Sequence, residues 1–277
     1  MGDESDRVED VEARLLLEGI QQVYGYDFRD YAEASIRRRL AHWLAESRFE
    51  TLSQAQSSLL RDPKIFLSLL SGLTVNVTEM FRDPAFFKAL RSQVIPFLKT
   101  YPFVKIWHAG CATGEEAYSM AILLNEEGMA GRYRMYATDI DEAVLATAAE
   151  GLVPLSEMQK FTRNYQNSGG TASFADYYTA RYGRAILSAD LKKSIVFAPH
   201  NLTADGEFGE MNLVLCRNVM IYFKQPLKER CLNLFDASLV PGGFLCLGLK
   251  ESLERRALRA SYEELVPRLR IYRKRYA

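Results

Sequence analysis

The stretch that most constrains this chain runs from Phe103 to Asp141. Phe103 to Ala109 is mostly apolar and stops abruptly at Gly110-Cys111-Ala112-Thr113-Gly114-Glu115-Glu116, which predicts a buried strand ending in a tight loop of small residues. Ala117 to Leu124 then has helical apolar spacing, and Tyr133 to Thr138 predicts a second strand that ends on Asp139-Ile140-Asp141. The unit reads strand, glycine turn, helix, strand, acid. Glycines after the first strand let a ligand approach the backbone, and an acid at the end of the second can accept hydrogen bonds from both hydroxyls of a ribose. A nucleoside-containing cofactor fits.

The loop spacing narrows the choice. A dinucleotide site usually carries G-x-G-x-x-G, with a pyrophosphate at the helix N-terminus. Here Gly110 and Gly114 stand four apart, and Glu115 and Glu116 occupy the helix start. Two carboxylates there would repel a pyrophosphate, which disfavours a nicotinamide dehydrogenase. They would not repel S-adenosylmethionine, which has a sulfonium, an ammonium and no phosphate.

Before this unit, apolar residues recur at helical spacing from about Arg7 to Leu70, predicting a small all-helical N-terminal domain over residues 1–73. Its middle helix carries Arg37-Arg38-Arg39, a run that by itself reads as a solvated basic face. Residues 74–100 form a linker and connecting helix, with Asn76, Thr78 and Arg82 on a loop placed to cover a ligand and Asp83-Pro84 opening a helix to Leu98. From residue 101 to 277 strands and helices alternate, giving a doubly wound parallel α/β sheet. Strands are expected at Ser194–Ala198, Met211–Cys216 and Phe244–Leu247, a helix at Leu227–Leu239, and a final edge strand at Arg268–Arg273. The segment from about 154 to 193, with Tyr177, Tyr178 and Tyr182, is too long for a plain connection and reads as an inserted subdomain with some strand content.

The 35 basic and 35 acidic residues cancel, and no aromatic-basic stripe is present, which disfavours nucleic acid as a partner. No apolar run reaches the length of a membrane span and the N-terminus is acidic, so a cytoplasmic protein without membrane insertion is expected. Cys111, Cys216, Cys231 and Cys246 form no C-x-x-C pair, and the three histidines are scattered; reduced thiols and no metal site are expected.

Ligands of open α/β sheets bind beyond the carboxyl ends of the strands. Those ends carry Gly110 to Glu116, Asp139, Asn201-Leu202 and Arg217-Asn218, expected in one cleft with Tyr222 at its mouth. Asp139 would take the ribose hydroxyls, and Asn201-Leu202 would hold adenine through an amide and an apolar wall. No Ser/His or Cys/His pair is legible, which suits an acceptor already nucleophilic, such as a glutamate carboxylate. Arg82 could pair with that carboxylate and Tyr222 could position it.

Asn76-Val-Thr78-Glu-Met-Phe-Arg82, Ala109-Gly-Cys-Ala-Thr-Gly-Glu-Glu116, Thr138-Asp139-Ile-Asp141, His200-Asn201-Leu202 and Cys216-Arg217-Asn218-Val-Met-Ile-Tyr222-Phe223 resemble, in order and spacing, the chemotaxis receptor glutamate methyltransferase family, CheR. The resemblance implies a Rossmann-like S-adenosylmethionine-dependent methyltransferase sheet with a helical N-terminal domain and a small inserted β-subdomain. It implies methyl transfer to glutamates of methyl-accepting chemoreceptor helices, for sensory adaptation, with S-adenosylhomocysteine as product. By the family pattern Asn76, Thr78, Arg82, Glu116, Asp139, Asn201, Leu202, Arg217 and Asn218 contact the cofactor or its surroundings, alongside Gly110, and Arg82 and Tyr222 are tied to catalysis. Arg37, Arg38 and Arg39 lie where the family meets the receptor, and the inserted subdomain is where some members hold a receptor's C-terminal tether peptide. Gly248-Leu249-Lys250-Glu251 stands where relatives often read Gly-His-Ser-Glu, a segment with no role assigned here. An alternative is a catalytically weak S-adenosylmethionine sensor, against which the retention of Arg82 and Tyr222 argues.

Overall fold

Apolar spacing and capping residues set the first four helices. In the computed structural model, which describes residues 2–253 and 256–276, they are α1 (Gly2–Tyr24), α2 (Glu33–Glu46), α3 (Leu52–Leu59) and α4 (Pro63–Leu73). The Thr51 hydroxyl caps α3, and the Asp62 carboxylate caps α4 just before Pro63, so both helix starts satisfy a free backbone N–H. Leu16 and Ile20 of α1, Ile36, Leu40 and Trp43 of α2, and Phe66, Leu69 and Leu70 of α4 are buried, and Tyr24 stacks on Phe66 with ring centroids 4.1 Å apart. Two later segments, 201–206 and 222–231, belong to the same compact unit. The second is tied in by backbone, with Ala32 N–H donating to the Tyr222 carbonyl (2.7 Å) and Lys224 N–H to that of Asp30 (2.6 Å), and the Arg230 guanidinium donates to the Leu202 and Asp205 carbonyls of the first (3.2 and 3.0 Å).

The second compact unit holds residues 76–200, 207–221 and 232–277. Its helices are α5 (Pro84–Ala89), α6 (Ile95–Leu98), α7 (Glu115–Glu126), α8 (Glu142–Glu150), α9 (Met158–Asn167), α10 (Ala189–Lys192) and α12 (Arg256–Ala260), with α11 (Gln225–Ser238) beginning in the first unit. The helix expected over Pro84–Leu98 is interrupted by a wide π turn at Leu90–Val94, just before Pro96, which has no N–H to continue the ladder.

The strands are β1 (Val104–Ala109), β2 (Tyr133–Asp139), β3 (Leu152–Pro154), β4 (Tyr178–Arg181), β5 (Arg184–Leu187), β6 (Ile195–Pro199), β7 (Met211–Cys216), β8 (Leu239–Leu247), β9 (Tyr262–Val266) and β10 (Ile271–Lys274). Seven of them form one sheet in the order β6-β2-β1-β7-β8-β10-β9. From β6 to β8 the pairs are parallel, while β10 runs antiparallel to both its neighbours. All six residues of β7 are buried, as expected of a central strand covered on both faces. The sheet is mostly parallel, as expected; the final edge strand expected at Arg268–Arg273 is corrected, since β10 lies inside and β9 is the edge. β8 begins five residues before the strand expected at Phe244 and takes in Pro241-Gly242-Gly243, through a register shift against β7. The strand order reverses at β1, so the crevice beyond β1 and β7 is where this topology places a ligand.

The inserted region carries β4 and β5, which with β3 make a separate antiparallel sheet in the order β3-β5-β4. Tyr177 anchors it, donating its hydroxyl to the Glu126 carboxylate (2.9 Å), whereas Tyr182 at the hairpin tip is exposed. The four cysteines are buried and form no disulfide, and no helix among the described residues is long and apolar enough to cross a membrane.

Candidate active site

The loop after β1 owes its shape to small residues. Gly110 (φ +76°), Ala112 (φ +47°) and Gly114 (φ +90°) take left-handed backbone, and the Gly110 and Cys111 N–H groups both donate to the Thr138 carbonyl (2.8 and 2.9 Å). A Cβ on Gly110 would lie 2.4 Å from Val219 Cγ2, so that glycine is also required by packing against the loop after β7.

Asp139 ends β2 and is only 9% exposed. Its carboxylate accepts from the Ala112 N–H (2.8 Å) and the Asp141 N–H (3.2 Å), so it ties the glycine loop to its own strand. One bond to each oxygen leaves lone pairs for two ribose hydroxyls. Burial pushes its pKa up, and the backbone donors hold part of that rise back. Glu115 is likewise raised by burial, with the Thr113 hydroxyl donating to it at 2.7 Å.

Glu116 belongs to a buried ion cluster. One of its oxygens lies 3.0 Å from His108 Nε2 and the other accepts from Arg217 Nη1 (2.6 Å), while Arg217 Nη2 donates to Asp83 (2.6 Å). The Arg217 guanidinium also lies 3.9 Å from the centroid of the Phe86 ring. Burial alone would raise the Glu116 pKa, but the Arg217 charge and the His108 hydrogen bond outweigh it and hold the carboxyl well below its usual range. This corrects the charge argument above: Glu116 is neutralised by Arg217, and only Glu115 stands as an uncompensated acid at the helix start. The Arg217 side chain has no exposed surface, so only its backbone could meet a ligand.

Arg82 contrasts with it. Half-buried, it makes no side-chain hydrogen bond or ion pair among the described residues. Its neighbours Phe81 (φ +52°) and Asp83 (φ +56°) both take the left-handed conformation, at a cost on the order of 1–2 kcal/mol each for non-glycine residues. Phe81 is fully buried, with its N–H donating to Ser119 Oγ (2.8 Å) and its ring edge-on to Phe87 and Tyr165. Asp83 does not cap α5 with its side chain, because its carboxylate goes to Arg217. Asn76 and Thr78 lie half-buried on the same loop.

Beyond β7, Asn218 is also left-handed (φ +63°) and is held by a residue outside the expected set. The buried Glu251 carboxylate accepts from the N–H groups of Asn218 (3.0 Å), Val219 (3.0 Å) and Gly248 (2.6 Å), pinning the β7 loop to the end of β8. His108, Asp83 and Glu251 were not legible as site residues. A histidine inside an otherwise apolar strand is a signal for the first, but the other two have partners visible only in three dimensions.

The remaining expected residues belong to the first unit. Asn201 Oδ1 accepts from both the N–H (2.9 Å) and the hydroxyl (2.7 Å) of Thr203, leaving the amide nitrogen to donate, and Leu202 beside it is buried. Tyr222 is half-buried, its hydroxyl unbonded among the described residues. The arginine triplet divides, since three consecutive helical residues span too wide an arc to share a face. Arg37 is exposed and paired with Asp10, and Arg38 is exposed. Arg39 is only 8% exposed, donates to the Leu73 carbonyl and lies over the Tyr222 ring at 4.7 Å.

A buried ribose-type acid, a loop of small residues at the reversal point and no basic residue on that loop fit S-adenosylmethionine. Together with the sheet they define an S-adenosylmethionine-binding methyltransferase. The family models agree: residues 12–74 match the CheR methyltransferase all-alpha domain and residues 76–265 the CheR methyltransferase SAM-binding domain, so the chain belongs to the CheR methyltransferase family. A Pseudomonas putida protein named, provisionally, as the methyltransferase Cher3 is 48% identical over 98% of this chain and 99% of its own length. Chemotaxis protein methyltransferases of Listeria monocytogenes (28% identical, over 84% of this chain and 87% of the relative) and Vibrio cholerae (28%, over 89% and 90%) are also similar.

Proposed function

We propose that this chain methylates glutamate side chains on the cytoplasmic helices of chemoreceptors, using S-adenosylmethionine and yielding glutamate methyl esters and S-adenosylhomocysteine. The observation that carries the reading is Arg82, a half-buried guanidinium without a partner among the described residues, on a loop fixed on both sides. Bound S-adenosylmethionine supplies a methyl group on a positively charged sulfur. The acceptor carboxylate is ionised at neutral pH and needs no general base, which suits a sequence in which no Ser/His or Cys/His pair is legible. What it needs is a donor once it leaves water, and Arg82 offers a two-pronged one. Tyr222 is assigned the positioning hydroxyl. Asp139 holds the ribose, the free amide of Asn201 and the Leu202 side chain hold adenine, and Asn76 and Thr78 cover the cofactor.

Arg37 and Arg38 present the cationic face of α2 to an acidic receptor helix; Arg39 supports Tyr222 instead. The outer edge of β4 suits a tether peptide added as a further strand. The test is transfer of labelled methyl groups to receptor fragments, read as base-labile ester. Transfer that Arg82→Ala lowers at least a hundredfold supports the reading. Tight cofactor binding with no transfer to any receptor fragment contradicts it and leaves the sensor alternative.

A further inference from the structure

The loop that carries Arg82 is gripped from a second direction. Asn164, half-buried on α9 of the inserted region, donates its side-chain amide to the Met80 carbonyl (3.1 Å). One turn earlier on the same helix, Lys160 pairs with Glu79. One residue later, the Tyr165 ring packs edge-on against Phe81, with centroids 5.2 Å apart. Three consecutive residues before Arg82, namely Glu79, Met80 and Phe81, are thus each held by α9.

Such a grip is informative because of what it holds. Phe81 and Asp83 occupy backbone that non-glycine residues avoid unless the surroundings enforce it. Ser119 and Arg217 hold these two residues from the sheet side. Without a donor at the Met80 carbonyl, the segment could relax towards commoner backbone, and the guanidinium of Arg82 would swing with it.

We propose that Asn164 is a positioning residue for Arg82: its amide, donating to Met80, keeps the left-handed Phe81–Asp83 backbone that presents the guanidinium. The inference rests on the role of Arg82 proposed above. It gives the inserted region a part in the reaction itself, separate from any peptide held on β4.

The test compares Asn164→Asp, which keeps the size but removes the donor at neutral pH, Asn164→Ala, and Asn164→Gln, which keeps a donor on a longer arm. In cofactor-free protein, amide exchange over residues 79–83 is expected to speed up about tenfold in the Asp and Ala variants and less in the Gln variant. Methyl transfer to a receptor fragment is expected to fall about tenfold in kcat, with cofactor affinity and the unfolding midpoint near wild type. Placed on Arg82→Ala, Asn164→Asp should cause no further loss, because the two act as one unit. Unchanged exchange over 79–83, or the same kcat loss with and without Arg82, would overturn the proposal. Should wild type modify no receptor fragment, the acceptor reading falls, and the exchange measurement still decides the positioning role.

Discussion

Arg217 and Arg82 belong to the same unit and carry the same charge, but their surroundings set opposite tasks. Arg217 is sealed between Glu116, Asp83 and the face of Phe86, so its charge is consumed within the fold. Arg82, beyond Asp83 by a single peptide bond, has nothing to pair with among the described residues. A buried cation paired with two carboxylates is part of the framework, even with its Nε left without an acceptor, and removing it strands the anions around it. A half-buried cation without a partner adds little to stability and is available to a ligand.

The sharpest way to break this comparison is to truncate both. Arg217→Ala leaves Glu116 buried without its counter-charge and should destabilise the protein by about 3–5 kcal/mol, read by denaturant unfolding. Arg82→Ala should stay within about 0.5 kcal/mol of wild type. Equal losses would erase the distinction. Next in size is Glu251→Ala, which deprives three backbone N–H groups of their acceptor and should lose about 2 kcal/mol.

A smaller effect comes from the glycine loop. Gly110→Ala meets Val219 as well as a positive φ, whereas Gly128 has a similar φ (+74°) and open space around it. The first variant should be less stable than the second by about 1–2 kcal/mol in the same unfolding assay. A last contrast shows itself only in acid. The folded pKa of Glu116 lies below its unfolded value of 4.5. As pH falls below 4.5, the unfolded chain therefore takes up a proton that the folded chain refuses, and stability declines towards pH 2. Glu115 and Asp139, raised by burial, slope the other way. The measure is thus the difference between wild type and Arg217→Met, which should show the smaller acid-driven loss.

Local pattern made the strand, glycine loop, helix and acid of Val104 to Asp139 legible, because periodicity and turn chemistry act within a few residues. What escaped depends on distant partners. Arg217 meets Glu116 across 101 positions and Asp83 across 134, so nothing near Glu116 in the chain announces that it is neutralised. The same holds for Glu251, which matches the last residue of the family's Gly-His-Ser-Glu in a segment given no role, although its carboxylate pins two loops. The last strand, β10, was legible at Arg268–Arg273, but β9 and the antiparallel direction were not, because an antiparallel return after a parallel run leaves no change in apolar pattern at Ile271. The arginine triplet reads as one patch in sequence, while helical geometry turns Arg39 inward beneath the ring of Tyr222.

The most direct measurement is a paired one on Arg82→Ala: unfolding by denaturant, and labelled methyl transfer to a receptor fragment. The account predicts a midpoint indistinguishable from wild type together with at least a hundredfold loss of base-labile ester. A variant that transfers methyl groups at the wild-type rate, or one that loses activity only because it no longer folds, would contradict it.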